Sequence, residues 1–246
     1  MTSNNIVKIV LFSGGIASFE VGRLVLEKYA KENIRFWFFD TLTEDDSLYN
    51  FVDQCEDFLG IEIERFCDGR NIWEVFRDER FIGNSRVPLC NRVLKRELLE
   101  RKLKQEFPSK NLILFLGYEY YEKERMEKAK NKWNKNGYQV SFPLAEKEHQ
   151  EKEVLISKLN DYGLTIPKLY DLGFKHNNCG GACVRAGINQ WLLLLELFPE
   201  RYLWHERQEQ QIREYLNKDV AILRDRTGGV TKPLTLRELR LRRNGK

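Results

Sequence analysis

A chain of 246 residues that is 42% hydrophobic and 12% aromatic can bury one substantial core with a modest extension. A formal net charge of +4 singles out no polyanionic partner, and no stretch reaches the roughly 20 apolar residues that a bilayer-crossing helix needs. The opening run MTSNNIVKIV lacks a signal-peptide layout, so a soluble, cytoplasmic protein is expected, with no membrane partner. Five cysteines, an odd number without an export signal, argue against a disulfide framework and leave thiols for metal or chemistry.

In chain order, Ile6 to Phe12 is almost continuously apolar and runs into Ser13-Gly14-Gly15, the pattern of a strand buried on both faces that ends in a tight turn. Val21, Leu24, Val25 and Tyr29 recur at helical spacing, and Ile34 to Phe39 is a second strand ending at Asp40. Leu48 to Leu59 is an amphipathic helix and Ile61 to Phe66 a third strand. A polar helix is expected from about Pro88 to near Phe107, a fourth strand over Leu112 to Leu116, a charged helix over Tyr121 to Asn134, and a fifth strand over Tyr138 to Phe142, stopped by Pro143. This alternation predicts an α/β fold, a doubly wound, mostly parallel sheet of Rossmann type, with ligand beyond the C-terminal strand ends.

After Pro143 the pattern predicts helices around Glu146 to Asp161, Ile188 to Phe198 and Glu200 to Asn217, flanking an irregular segment from Gly163 to Gly187, with no further strong strand. The expected organisation is a nucleotide-binding body over residues 1–142 and a helical extension over 143–246 that covers the ligand edge. From Arg224 to Lys246, eight basic residues face two acidic ones. That tail is either a solvated, frayed end or a phosphate-attracting surface for a nucleic-acid partner, and Arg224 to Gly229 reads as an ordered turn within it.

Ser13-Gly14-Gly15-Ile16-Ala17-Ser18 lies between a strand and a helix N-terminus, where glycines admit close backbone approach and unpaired N–H groups favour an anion. The six residues resemble the SGGxDS pyrophosphate loop of N-type ATP pyrophosphatases and their phosphoadenosine phosphosulfate (PAPS) reductase relatives, except that Ala17 replaces the aspartate that would assist Mg2+. Asp40-Thr41, followed by Glu44, is similar to the family's DTxxE stretch beside the nucleotide; capping of the next helix by Asp40 and its neighbours is equally open. The segment Leu89-Cys90-Asn91-Arg92-Val93-Leu94-Lys95 resembles the cysteine-then-basic stretch, with Arg92, Lys95 and Arg96 as candidate anion contacts. Gly117, Glu122 and Arg125 match the spacing after the fourth strand, so the resemblance makes Gly117 and Glu122 nucleotide contacts and Arg125 a phosphate-directed charge.

IPKLYDLGFKHNNCGGACV, Ile166 to Val184, is similar to the PLYDxGYxSxGCxxCT segment of PAPS and adenylyl-sulfate reductases, with the cysteine pair one residue wider. The resemblance implies that Cys90 joins Cys179 and Cys183. Three thiolates would suit an iron–sulfur cluster with an open iron, or with His176 a tetrahedral zinc site, and both stay open beside a reactive-thiol role. Cys55 and Cys67, at apolar positions, read as buried small hydrophobes, and His149 and His205, on charged helices, as surface residues.

Taken with the resemblance, these motifs lead to an enzyme that binds ATP with Mg2+ and adenylates an oxygen of a second substrate, releasing pyrophosphate and preparing sulfur or nitrogen transfer. Lys95 and Arg125 would neutralise developing charge, and a cluster at Cys90, Cys179 and Cys183 would carry sulfur. A PAPS or adenylyl-sulfate reductase, in which the turn holds a sulfated adenine nucleotide, is the alternative; the absence of a cysteine after Cys183 makes Cys179 or Cys183 its nucleophile. A third reading is a catalytically silent nucleotide-binding scaffold with structural zinc.

Overall fold

In the computed structural model, residues 6–146 and 151–244 are described. In chain order they form β1 (Val7–Phe12), α1 (Ile16–Lys28), β2 (Ile34–Asp40), α2 (Asp46–Leu59), β3 (Ile63–Cys67), α3 (Ile72–Asp78), α4 (Leu98–Glu106), β4 (Leu112–Phe115), α5 (Lys123–Lys135) and β5 (Gln139–Ser141). There follow α6 (Lys152–Asp161), α7 (Ile188–Leu197), α8 (Pro199–Leu216), β6 (Leu223–Asp225), β7 (Lys232–Leu234) and α9 (Leu236–Asn244). A π-helical stretch, Asn91–Glu97, runs straight into α4. Two compact units divide the chain: Met1–Phe39, Asp46–Phe66 and Leu99–Lys168 in the first, and Asp40–Asp45, Cys67–Leu98 and Leu169–Lys246 in the second.

The first unit carries a five-stranded parallel sheet in the order β3-β2-β1-β4-β5, the doubly wound α/β architecture that strand–helix alternation predicts. β1 is central because it is apolar enough to be covered on both faces: Ile9 and Val10 are fully buried. Val10 stands opposite Phe36 of β2 on one side and Phe115 of β4 on the other. Strand order reverses between β1 and β4, and in such sheets the crevice beyond the strand ends at that reversal receives the ligand.

The second unit is mainly helical, packed around Trp73, Phe76, Leu94, Trp191, Tyr202 and Leu236. α3 starts at a capping box, in which the Asn71 side chain accepts from the amides of Trp73 and Glu74 while Glu74 accepts from the Asn71 amide. No further strong strand is expected after Pro143, and the two short strands β6 and β7 form an antiparallel hairpin that pairs Leu223 with Leu234. Strands of three residues are too short to show alternation, and a buried carboxylate holds this hairpin: Glu209 of α8 accepts from the amides of Ile222 at 3.0 Å and Leu236 at 2.7 Å.

The basic tail is likewise structured rather than frayed where it is described. Within α9, Arg240 pairs with Glu206 at 2.7 Å, Arg242 with Asp225 and Glu238, and Arg243 with Glu196. His205 corrects the expectation of a surface residue, being 2% exposed. Its Nδ1 accepts from the Trp73 indole at 2.9 Å, rings of Trp191 and Trp204 pack against it, and burial pushes its pKa down to about 3, so it is neutral. Cys67 is another correction, since it ends β3 exposed, whereas Cys55 is buried as expected. His149 lies outside the described residues. Among the described residues no helix is long and apolar enough to cross a membrane.

Burial outweighs the two amide donors and lifts the Glu209 carboxyl to about 7. A carboxyl raised on folding supports the fold fully below its unfolded value and loses that support as pH rises through its folded one. Thermal denaturation of Glu209→Gln should therefore show a Tm lowered through loss of one amide acceptor, about 1–3 kcal/mol, and a flatter pH dependence than wild type between about pH 5 and pH 8. Parallel curves would refute the assignment.

Candidate functional site

At the switch point, β1 delivers Ser13, Gly14 and Gly15 directly onto the N-terminus of α1. Gly14 has φ +74°, and a Cβ there would lie 2.8 Å from Leu48, so both conformation and space require glycine. Gly15 is the N-cap and no side chain caps the helix, which leaves the first-turn amides of Ile16 and Ala17 to an external acceptor. Ser18, buried in the first turn, donates to the Gly15 carbonyl at 2.7 Å and accepts from Ser13 at 3.1 Å, fixing the turn from within. Beyond the end of β4, Gly117 approaches this backbone so closely that a Cβ would touch the Ala17 carbonyl and Ser18 amide at 3.6 Å. The Ser13–Ser18 turn and Gly117 thus stand together at this edge of the sheet, where Ala17 contributes an amide but no carboxylate.

Glu122 and Arg125, the other residues of that spacing, neutralise one another. The Glu122 carboxylate accepts from the Glu119 amide at 3.1 Å and pairs with Arg125, whose guanidinium lies 4.8 Å from the centre of the Tyr118 ring. Arg125 is more than half exposed, a surface charge in this state.

In the second unit, Asp40 accepts from the Leu42 amide at 2.8 Å, closing a turn of the strap Asp40–Asp45. Glu44 of that strap is 1% exposed in its side chain and gathers three donors: the Thr41 hydroxyl at 3.0 Å, the Cys179 amide at 2.5 Å, and the Lys95 ammonium at 3.6 Å. Asp45, fully buried, takes Arg201 at 2.8 Å, and the same guanidinium donates to the Gly180 carbonyl at 2.8 Å. Gln190 donates to the Gly181 carbonyl at 3.0 Å. Three side chains, Glu44 from a remote segment and Gln190 and Arg201 from the two helices that follow, therefore clamp the Cys-Gly-Gly-Ala-Cys turn, in which Cys179, Gly180 and Gly181 are successively left-handed at φ 53°, 56° and 89°. For Cys179 that conformation is strained by about 1–2 kcal/mol, and the Glu44 bond to its amide offsets the strain. Arg92 is tied to Glu79 and Glu97.

The turn brings the two sulfurs of the pair together. The neighbouring Cys183 thiol, burial and the Glu44 carboxylate hold the Cys179 thiol well above the usual range. The Cys179 thiol, the Arg185 amide and the Lys95 charge bring Cys183 down to about 7 against the opposing effect of burial. Cys90, buried near Cys183, is pushed up to about 11. Burial works against the Lys95 ammonium, but Glu44 and the three thiols around it keep its pKa above the ordinary lysine value.

Among the described residues no group of three or more His, Cys, Asp or Glu side chains is arranged to hold a metal ion. Cys90, Cys179, Cys183 and His176, grouped above as metal ligands, do not form such a group. Sequence reading missed Arg201, Asp45 and Gln190 as supports of the turn. Glu44 was legible through the Thr41-x-x-Glu44 spacing, but a pairing across 156 residues, as between Asp45 and Arg201, leaves no local mark.

The family model of the phosphoadenosine phosphosulfate reductase domain matches residues 8–180, a span that takes in the Ser13–Ser18 turn, Glu44, Lys95 and Cys179. Among solved structures, phosphoadenylyl-sulfate (PAPS) reductase from Candida auris, in a phosphate complex, is similar with a TM-score of 0.48 and 14% identity over 69% of this chain and 80% of that one. No curated protein matches the chain. Since the family model spans well over half of the 246 residues, the chain belongs to the phosphoadenosine phosphosulfate reductase domain family.

Proposed function

We propose that this chain is an adenine-nucleotide-dependent sulfur enzyme whose Ser13–Ser18 turn binds the anionic tail of an adenine nucleotide and whose Cys183 sulfur is the nucleophile toward a sulfate sulfur. The observation that carries this reading is the place of Cys183, a half-buried residue on a turn held by Glu44, Arg201 and Gln190, where the neighbouring Cys179 thiol, the Arg185 amide and the Lys95 charge favour its thiolate. Donors aimed at sulfur favour its anionic form, which is the nucleophile. The step forms a bond between Cys183 Sγ and the sulfate sulfur and breaks the sulfur–oxygen bond to phosphate, whose oxygen leaves with the electron pair. Membership of a PAPS reductase family supports the substrate class.

A second reading, ATP-dependent adenylation of another substrate with pyrophosphate release, is favoured by the uncapped first-turn amides of α1, which suit a polyphosphate as well as a sulfate. Ala17 counts against it, because the turn then lacks a carboxylate for Mg2+. A nucleic-acid substrate draws little support from the tail, where Arg240, Arg242 and Arg243 are held by carboxylates.

Incubation with PAPS or adenylyl sulfate and a dithiol should release sulfite, and Cys183→Ser should abolish the release while leaving nucleotide affinity within about twofold. Pyrophosphate release from ATP without sulfite from either sulfated nucleotide would establish the second reading instead. Stoichiometric iron, sulfide or zinc in anaerobically prepared protein would make the sulfurs ligands and refute the free-thiol role.

Calorimetric titration addresses the turn itself. Gly14→Ala, which must place a methyl against Leu48 in a left-handed conformation, should weaken adenine-nucleotide binding by about tenfold or more, a change of about 1.4 kcal/mol. Unchanged affinity in a folded variant would remove the turn from the site.

A further inference from the structure

Roles within the sulfur pair follow from its exposure and its scaffold. Cys183 is half-buried and Cys179 buried, so a reagent from solvent reaches Cys183 the more readily. The three left-handed residues from Cys179 to Gly181 fold the chain back, the Ala182 amide donates to the Cys179 carbonyl at 2.9 Å, and Cys183 follows directly on that turn. Glu44, Arg201 and Gln190 hold that fold at the Cys179 amide and the Gly180 and Gly181 carbonyls, so the juxtaposition is imposed by bonds on both sides of the turn. Such a scaffold is more than the packing of two small apolar residues requires.

We propose that Cys179 and Cys183 are a reversible dithiol–disulfide couple within one chain, in which Cys183 attacks and Cys179 resolves. The proposal rests on the sulfur-directed reading of Cys183 given above and completes its turnover. After attack, Cys183 carries a sulfonate on its sulfur. Cys179 then attacks Cys183 Sγ, the new sulfur–sulfur bond forms as the bond to the sulfonate breaks, and the electron pair leaves with sulfite, which takes the Cys179 proton as bisulfite. Two thiols are oxidised to one disulfide while the sulfate sulfur is reduced by the same two electrons. Resetting the couple requires a dithiol reductant, small or protein-borne, that attacks the accessible Cys183 side of the bond.

The full chain, reduced and freed of reductant, should release one sulfite per chain in a single turnover with a sulfated adenine nucleotide and no added thiol. Trypsin after alkylation should then yield the peptide His176–Arg185 two hydrogens lighter and unalkylated at both cysteines. Cys179→Ser should release no sulfite until thiol is added and should accumulate a sulfonate on Cys183, whereas Cys183→Ser should acquire no sulfonate. Full sulfite release by Cys179→Ser without thiol, or a bond linking Cys183 to Cys90, would overturn the couple while leaving the nucleotide reading intact. Conversely, formation of the 179–183 disulfide with a mild oxidant such as diamide, without sulfite from either nucleotide, would support the couple and overturn the substrate.

Discussion

The Glu44 carboxylate is the constraint on which the sulfur unit depends. A carboxylate taken almost wholly out of water is tolerable only if its oxygens are satisfied and its charge balanced, and here one side chain accepts from Thr41, from the Cys179 amide and from Lys95. Removing one partner of such a buried pair typically costs about 3–5 kcal/mol, because the charge left behind has no solvent to turn to. The carboxylate therefore joins three stretches of sequence into one object: the strap after β2, the π-helical segment that bears Lys95, and the left-handed turn of Cys179. It also sets the electrostatics. Without Glu44 the Lys95 cation would have no strong reason to remain among the thiols, and without Lys95 the thiols would face a bare negative charge.

In the nucleotide unit the constraint is backbone closeness rather than charge. The order β3-β2-β1-β4-β5 puts the end of β1 beside the end of β4, so the amides at the start of α1 and the backbone after β4 share one edge. Glycine at 14 permits the turn, and the backbone at Gly117 lies within van der Waals reach of it. Ala17 leaves that surface dependent on backbone amides and the helix dipole. Such a surface favours an anion of almost any kind and carries no base to activate one. Selectivity for a nucleotide over a free anion must then arise from contacts outside these six residues.

The fold was legible because its signals are local and repeated. Near-continuous apolar runs such as Val7 to Phe12 and Ile34 to Phe39 can only be strands covered on both faces, and the glycine turn after the first of them fixes the phosphate-type edge. The hairpin of β6 and β7 was not legible, since three-residue strands carry no period and their register is set by Glu209 from another helix. His205 misled for a related reason: the charged residues around it describe the solvated side of α8, and nothing adjacent in sequence announces that Trp73 waits for the imidazole. At the candidate site, residue types and spacing named the cysteines, Lys95 and the turn. The clamp of Asp45, Arg201 and Gln190 was hidden because Asp45 and Arg201 pair across 156 residues and Gln190 reaches a backbone carbonyl, which no side-chain motif announces.

A clamped turn also limits what can happen at the sulfurs. Cys179 is held by its own amide, Gly180 and Gly181 by their carbonyls, and Gly181 has no room for a Cβ beside Phe174. Movement of the buried sulfur toward a distant partner would break these bonds together, whereas rotation about a side-chain torsion toward Cys183 breaks none of them. Chemistry at this turn therefore favours exchange within the pair over exchange with a second chain. The same rigidity obliges an external substrate or reductant to come to Cys183, the sulfur that the turn leaves half open.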